Sequence, residues 1–227
     1  MIKIKFSPTE FKNPIKAFDN FSKRVTIYSQ QKREIEPKSF YAGLSGIREG
    51  FESQNQKDLM NKKSKNLAEV LVSLGNRKLA GIIYSLLIKM NLNKPKVIEQ
   101  LAYNGLAIAK RFNDHVHIMA RCEDLSKVLT DEAQKLKILK EEKKALKYIC
   151  KNYDGAQNRF QTISREMKPL KNYKLMLVSV KLRIAKLVKG SDPNHAINEL
   201  TEAKTILEEV HSQKYLKEIN DTLGDLK

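Results

Sequence analysis

Histidine and cysteine are the residues most able to do chemistry in this sequence, and their spacing matches no known type of site. The chain has four histidines and two cysteines. His115 and His117 are two positions apart, and rings so spaced on a helix point to different faces. A metal site would need a third ligand from Asp114 or Cys122, so the spacing favours a helix start at the surface. CxxC and HExxH sequences are absent, and we therefore predict no metal and no cofactor.

Motifs that activate a nucleophile or cradle a nucleotide phosphate are also missing. Neither Gly-x-Ser-x-Gly nor GxxxxGK[ST] occurs. The stretch 43–46 (GLSG) lies in an apolar helical stripe, which favours a contact between helices over an anion site. The adjacent pairs Glu141-Glu142 and Glu208-Glu209 diverge on a helix, so we expect solvated carboxylates and no catalytic dyad. The sequence predicts a protein that is not an enzyme, and a site assembled from scattered residues is the least favoured alternative.

A row of regularly spaced lysines is the strongest candidate for a binding site in the sequence. Its spacing of three and four residues predicts one helix face, opposite the apolar residues 139, 146 and 149. Such a face could grip an acidic peptide or follow a phosphate backbone. Alternatively, a lysine-rich chain exposes lysines on any solvated helix face. The candidate partner-binding residues are Lys137, Lys140, Lys144, Lys147 and Lys151.

Charge is unevenly distributed along the chain, whose net charge is +17. Residues 131–190, the basic block, carry 16 basic and 6 acidic side chains, a net of +10. Residues 191–227, the acidic C-terminal segment, carry 4 basic and 8 acidic side chains, a net of −4. Only 9 basic residues are Arg and 34 are Lys, which weighs against a dedicated nucleic-acid reader. The acidic segment is predicted to pack near the basic block or to bind it in a neighbouring molecule, through surface pairs that each contribute little. The residues expected to make these pairs are Glu199, Glu202, Glu208, Glu209, Glu218, Asp221 and Asp225.

Composition favours long helices and a cytoplasmic protein. Nine glycines and six prolines are few for 227 residues, because an all-β fold needs a turn roughly every ten residues. The most apolar stretch, residues 79–90, is too short to span a bilayer, and no secretory signal is recognisable. Two cysteines do not make a disulfide framework. We expect a soluble, cytoplasmic protein without a membrane partner.

Helical periodicity then runs along most of the chain. Residues 14–32 and the segment after Pro37 carry apolar stripes, and the alternation at residues 2–6 indicates an extended arm docked on helices. The polar run 52–66 predicts a boundary, with an N-terminal arm and helical extension at 1–60 and a second domain at 61–227. Further helical segments are predicted at 67–74, 79–90, 97–112, 116–129, 136–150, 175–188 and 196–210, with Phe160, Ile163 and Met167 continuing the pattern.

One helix pair shows a more specific order of large and small residues. Its positions are Leu67, Ala68, Leu71, Gly75, Ala80, Tyr84, Leu87 and Pro95. This order resembles a tetratricopeptide repeat, a pair of antiparallel helices about 34 residues long. The departures are the polar Ser64 where an aromatic residue is often found, Leu87 where Ala is usual, and a proline three residues late. The resemblance covers roughly residues 61–225 and is closest over 64–95.

The resemblance implies an all-α fold, a right-handed superhelical stack of antiparallel helix pairs (a tetratricopeptide-like α-solenoid) with an N-terminal helical extension. It also implies a scaffold or adaptor, that is, a non-catalytic protein–protein interaction module. Such a module would bind an acidic peptide or partner protein in the groove of the stack. The alternative is RNA binding through the basic residues 131–190. The sequence leaves the oligomeric state and the identity of the partner open.

Overall fold

The described residues fold into α-helices, as predicted. The computed structural model describes residues 1–5, 11–153 and 169–226, and within them ten helices and no extended strand occur. The helices are α1 (Pro14–Gln30), α2 (Pro37–Ser53), α3 (Lys57–Ser73), α4 (Arg77–Met90), α5 (Pro95–Arg111), α6 (His115–Val128), α7 (Glu132–Lys151), α8 (Leu170–Val188), α9 (Pro193–Glu209) and α10 (Leu216–Gly224). Phe160, Ile163 and Met167 lie outside the described residues.

Two compact units make up the chain, Met1–Val97 and a second that begins at Ile98. The first holds α1 to α4, and the second holds most of α5 and all of α6 to α10. The predicted boundary at residues 60 and 61 lies inside α3. The polar run that suggested it includes the first half of this amphipathic helix, which buries only Met60 and Ser64 before Leu67.

The core of the first unit is rich in phenylalanine. Phe21 and Phe40 have ring centroids 5.1 Å apart, and Phe18 meets Phe51 edge-on at 6.4 Å. These rings lie on α1 and α2, whose apolar stripes the sequence shows. Pro14 begins α1 where its missing N–H costs nothing, and Asn13 accepts a hydrogen bond from the backbone of Lys16 at 3.0 Å.

An extended arm docks on this unit, as the alternation at residues 2–6 predicts. The backbone of Ile2 pairs with the chain around Ile35 in a single parallel bridge, and Ile4 is buried. On α2, a Cβ at Gly46 would lie 2.9 Å from the ring of Phe11. Gly46 therefore packs against a residue that precedes α1, where a contact between helices was predicted.

The helix pair singled out by its sequence forms α3 and α4. The apolar residues at the repeat positions are all buried, and α3 packs against α4. Gly75 has φ +76° in the turn between them, where a side chain would strain the backbone. Pro95 begins α5. Ser64, the polar departure, is buried and donates a hydrogen bond to the sulfur of Met60 at 3.5 Å.

In the second unit, consecutive helices pack together from α6 to α10. From α5 to α9 the helices start within five residues of the predicted positions, whereas α10 was not predicted. Capping residues mark two of these starts. Asp131 and Asp192 each accept a hydrogen bond from a backbone N–H three residues later and so cap α7 and α9. Among the described residues, no helix is long and apolar enough to cross a membrane.

Candidate functional site: the lysine face of α7

Five lysines form a continuous exposed face on α7. At about 100° per residue they cover roughly 80° of the helix circumference and span about 21 Å of its axis. All five are exposed, whereas Leu139, Leu146 and Ile149 on the other side are buried. The structure therefore brings the predicted residues together; their role in binding stays a prediction. We call Lys137, Lys140, Lys144, Lys147 and Lys151 the lysine face.

Acidic residues of α9 form one border of this face. Lys147 Nζ lies 3.2 Å from Glu202 Oε2, and Lys143, next to the face, pairs with Glu199. The other four lysines of the face have no ion pair within the described parts of the chain. Most of the face therefore keeps its charge available to a partner.

A stacked pair of rings forms the other border. The rings of Tyr148 and His115 have centroids 3.7 Å apart and an interplanar angle of 24°. Tyr148 remains 44% exposed and lies four residues after Lys144 and three before Lys151, so both are its neighbours on the helix surface. Burial lowers the pKa of His115, and the charge of Lys144 acts in the same direction against that of Asp114. The imidazole is therefore neutral at pH 7.

The acidic C-terminal segment pairs with most of the lysines of α8. Lys174 pairs with Glu209 at 2.8 Å, and Lys186 pairs with Glu218 at 2.5 Å. Just after the helix, Lys189 lies 3.3 Å from Asp225. The prediction that this segment packs near the basic block is confirmed within one chain.

One of these pairs lies in the interior, and the expectation of surface pairs is wrong there. Lys181 is 0% exposed and donates to Glu199 at 2.8 Å and to Glu202 at 2.5 Å. Burial opposes ionisation of Glu199, but the hydrogen bonds and charges of Lys143 and Lys181 outweigh it and lower its pKa to about 2. The missed signal was a lysine in the middle of an apolar stripe formed by Leu177, Val178, Ile184, Ala185 and Val188.

The prediction that Glu142 is a solvated carboxylate is also wrong. Glu142 is 1% exposed and accepts a hydrogen bond from Arg183 at 2.9 Å. Burial raises its pKa to about 7, against the opposing charge of Arg183. Glu142 and Arg183 line a polar cavity of about 470 Å³ bounded also by Tyr215, which has φ +71°. This cavity adjoins the side of α7 opposite the lysine face, and the sequence pattern did not indicate it.

The surroundings of the remaining histidine and cysteine candidates indicate a role in the fold. His117 Nδ1 lies 2.8 Å from Asp114 Oδ2, next to the start of α6. Burial raises the pKa of the Cys122 thiol well above its usual range, and it also raises that of Cys150. Both thiols therefore stay protonated at neutral pH and are poor nucleophiles. Among the residues the structure describes, no three His, Cys, Asp or Glu side chains are placed to hold a metal ion.

Comparison with known proteins gives this chain no family. No protein-family model matches it, and no curated protein does. The tetratricopeptide resemblance of residues 64–95 therefore stays a prediction. Function is inferred from the side chains of the second unit, above all from the lysine face and its two borders.

Proposed function

We propose that this chain is a non-catalytic interaction module that binds an anionic polymer through the lysine face of α7. The observation that carries this proposal is the difference in pairing within the basic block. Residues 191–227 supply acidic partners to three of the four lysines of α8 but to only one of the five lysines of the lysine face. Four of the five lysines of the face therefore stay unpaired within the described residues, in a row along one helix.

The face has the physical properties that binding a charged polymer requires. Each exposed lysine contributes little alone, but a row of them attracts a polyanion and displaces its counterions. Because the other side of α7 is buried, the row is held straight before a partner arrives. This pre-organisation reduces the entropy lost on binding.

The test compares two triple variants of equal charge. Lys140→Ala/Lys144→Ala/Lys151→Ala removes three charges from the lysine face. Lys62→Ala/Lys204→Ala/Lys217→Ala removes three from exposed lysines elsewhere. Binding of a labelled single-stranded RNA and of polyglutamate is measured by fluorescence anisotropy between 50 and 200 mM salt.

We expect the first variant to weaken binding of the RNA and to reduce the slope of log K against log salt by about 2, since each single-strand phosphate contact contributes about 0.7. The control triple should keep the slope of the natural sequence. Equal loss in both variants would show that the lysine face is not the site. If neither the RNA nor polyglutamate bound at 50 mM salt, the proposal would be excluded.

A scaffold role is the second candidate, and the α3–α4 pair favours it. All of its apolar repeat positions are buried, and the tetratricopeptide resemblance implies a peptide or partner protein held in the groove of a helical-repeat stack. A pull-down from the source cytoplasm, with and without nuclease, separates the two candidates. Protein partners that survive nuclease treatment favour the scaffold, and partners lost with the nucleic acid favour the polyanion module.

A further inference from the structure

We infer that the polymer bound by the lysine face is a single-stranded nucleic acid, with Tyr148 as a base-stacking residue. The inference rests on the proposed function and names the partner of the same face. It starts from the ring that borders the lysines. Proteins that hold single strands without sequence preference combine a basic track with aromatic side chains on which bases stack.

The ring of Tyr148 is held in place and still accessible. Stacking on His115 at 3.7 Å fixes its plane, and 44% of the residue is exposed. Since His115 covers one face of the ring, a base can extend the stack on the exposed part. Lys144 and Lys151 flank the ring along α7. Phosphates on both sides of a stacked base would therefore meet a positive charge.

The ring of Tyr148 favours a nucleic acid over an acidic protein as the partner. The face of an aromatic ring carries a partial negative charge, so carboxylates avoid it, whereas every nucleic-acid base has a flat π face that stacks. The neutral His115 adds a second ring to the stack and no charge for a carboxylate to pair with. An acidic peptide would use the lysines and gain little from Tyr148.

The same ring distinguishes a single strand from a duplex. Bases in a duplex are stacked on one another, so Tyr148 could reach one only after it is flipped out. A strand stacked as in B-form DNA has a phosphate about every 3.4 Å, and the face of about 21 Å spans roughly six of them. No residue of α7 is an Arg, the side chain most often used to read base edges. We therefore expect weak sequence preference.

The test replaces the ring and leaves the charge unchanged. Tyr148→Leu keeps apolar volume without a flat ring, and Tyr148→Phe keeps the ring. Tyr103→Leu is the matched control, because Tyr103 is 37% exposed on α5 of the same unit. The probes are a 12-nucleotide oligouridine, its DNA counterpart, a 12-base-pair RNA duplex and polyglutamate, all measured by anisotropy at one salt concentration. Melting temperatures confirm that the variants are folded.

We expect Tyr148→Leu to weaken binding of both single strands about 5- to 150-fold, the range for loss of one stacked base. Tyr148→Phe and Tyr103→Leu should stay within about twofold, and duplex and polyglutamate binding should be unaffected by Tyr148→Leu. Equal binding of single strands by Tyr148→Leu and the natural sequence would overturn the inference. So would tighter binding of polyglutamate than of oligouridine. Either result leaves the proposed function standing, whereas it fails if none of the probes binds.

Discussion

The lysines of α7 and α8 belong to one basic block, yet the fold uses them in opposite ways. Three lysines on α8 and Lys189 just after it each have an acidic partner in α9, α10 or the residue that follows. On the lysine face only Lys147 has one within the described residues. The net charge of a segment therefore does not give the charge of a surface. The segment that packs next to it decides which positive charges remain available.

The two groups also differ in energetic role. An exposed lysine paired at the surface contributes about 0–1 kcal/mol, whereas removal of one partner from a buried pair costs several. Lys181 belongs to the second kind because its side chain is fully buried between Glu199 and Glu202. The lysines that stabilise the fold and those proposed to bind a partner are thus different residues.

The largest effect is expected from Lys181→Ala. It leaves the buried Glu199 without one of its two lysine partners, and we expect a loss of about 3–5 kcal/mol in the free energy of unfolding. Urea denaturation followed by circular dichroism measures it, with Lys140→Ala as the control from the lysine face. A loss below about 1 kcal/mol would show that the buried Lys181 contributes no more to stability than an exposed lysine of the lysine face.

A pH titration of stability sharpens the same contrast. The pKa of Glu199 is about 2 in the fold against an ordinary 4.5. Its contribution, about 3 kcal/mol, is therefore fully present above pH 4.5 and is lost as the pH falls toward 2. Glu199→Gln should be less stable at pH 7 and should lose less stability on acidification. Parallel stability curves for the two proteins between pH 5 and 2 would contradict this assignment.

The smallest effect belongs to the lysine face itself. Lys144→Ala should change the free energy of unfolding by no more than about 0.5 kcal/mol. Its sign should be neutral or stabilising, because Lys140 and Lys144 are like charges four residues apart. The measurement is again urea denaturation. A loss above about 1 kcal/mol would show that Lys144 stabilises the fold. The lysines that stabilise the fold and those of the lysine face would then not be different residues.

The sequence predicted those features that depend on local pattern. Helices follow the apolar period, and their starts follow the capping residues Asp131 and Asp192. The lysine face was predictable because all its members lie on one helix. The sequence analysis expected a solvated Glu142 and did not single out Lys181. A charged residue on an apolar stripe finds its partner on another helix, which the pattern of one helix does not show.

The contact between His115 and Tyr148 could not be predicted from the sequence for a related reason. It joins two helices, and no periodicity within one of them reveals it. The polar run 52–66 shows a similar limit, since the exposed half of an amphipathic helix has a linker-like composition. In each case the missing information concerned which helices pack together.

The acidic partners of α8 give the second unit a permanent electric asymmetry. A body with a row of unpaired positive charges along one helix experiences a torque near a polyanion and rotates before contact. A larger fraction of collisions would then begin in the productive orientation, which raises the association rate more than it slows dissociation. The ionic atmosphere limits the range of this torque to about 8 Å at physiological salt. The C-terminal segment would thus set how quickly a partner is captured without touching it.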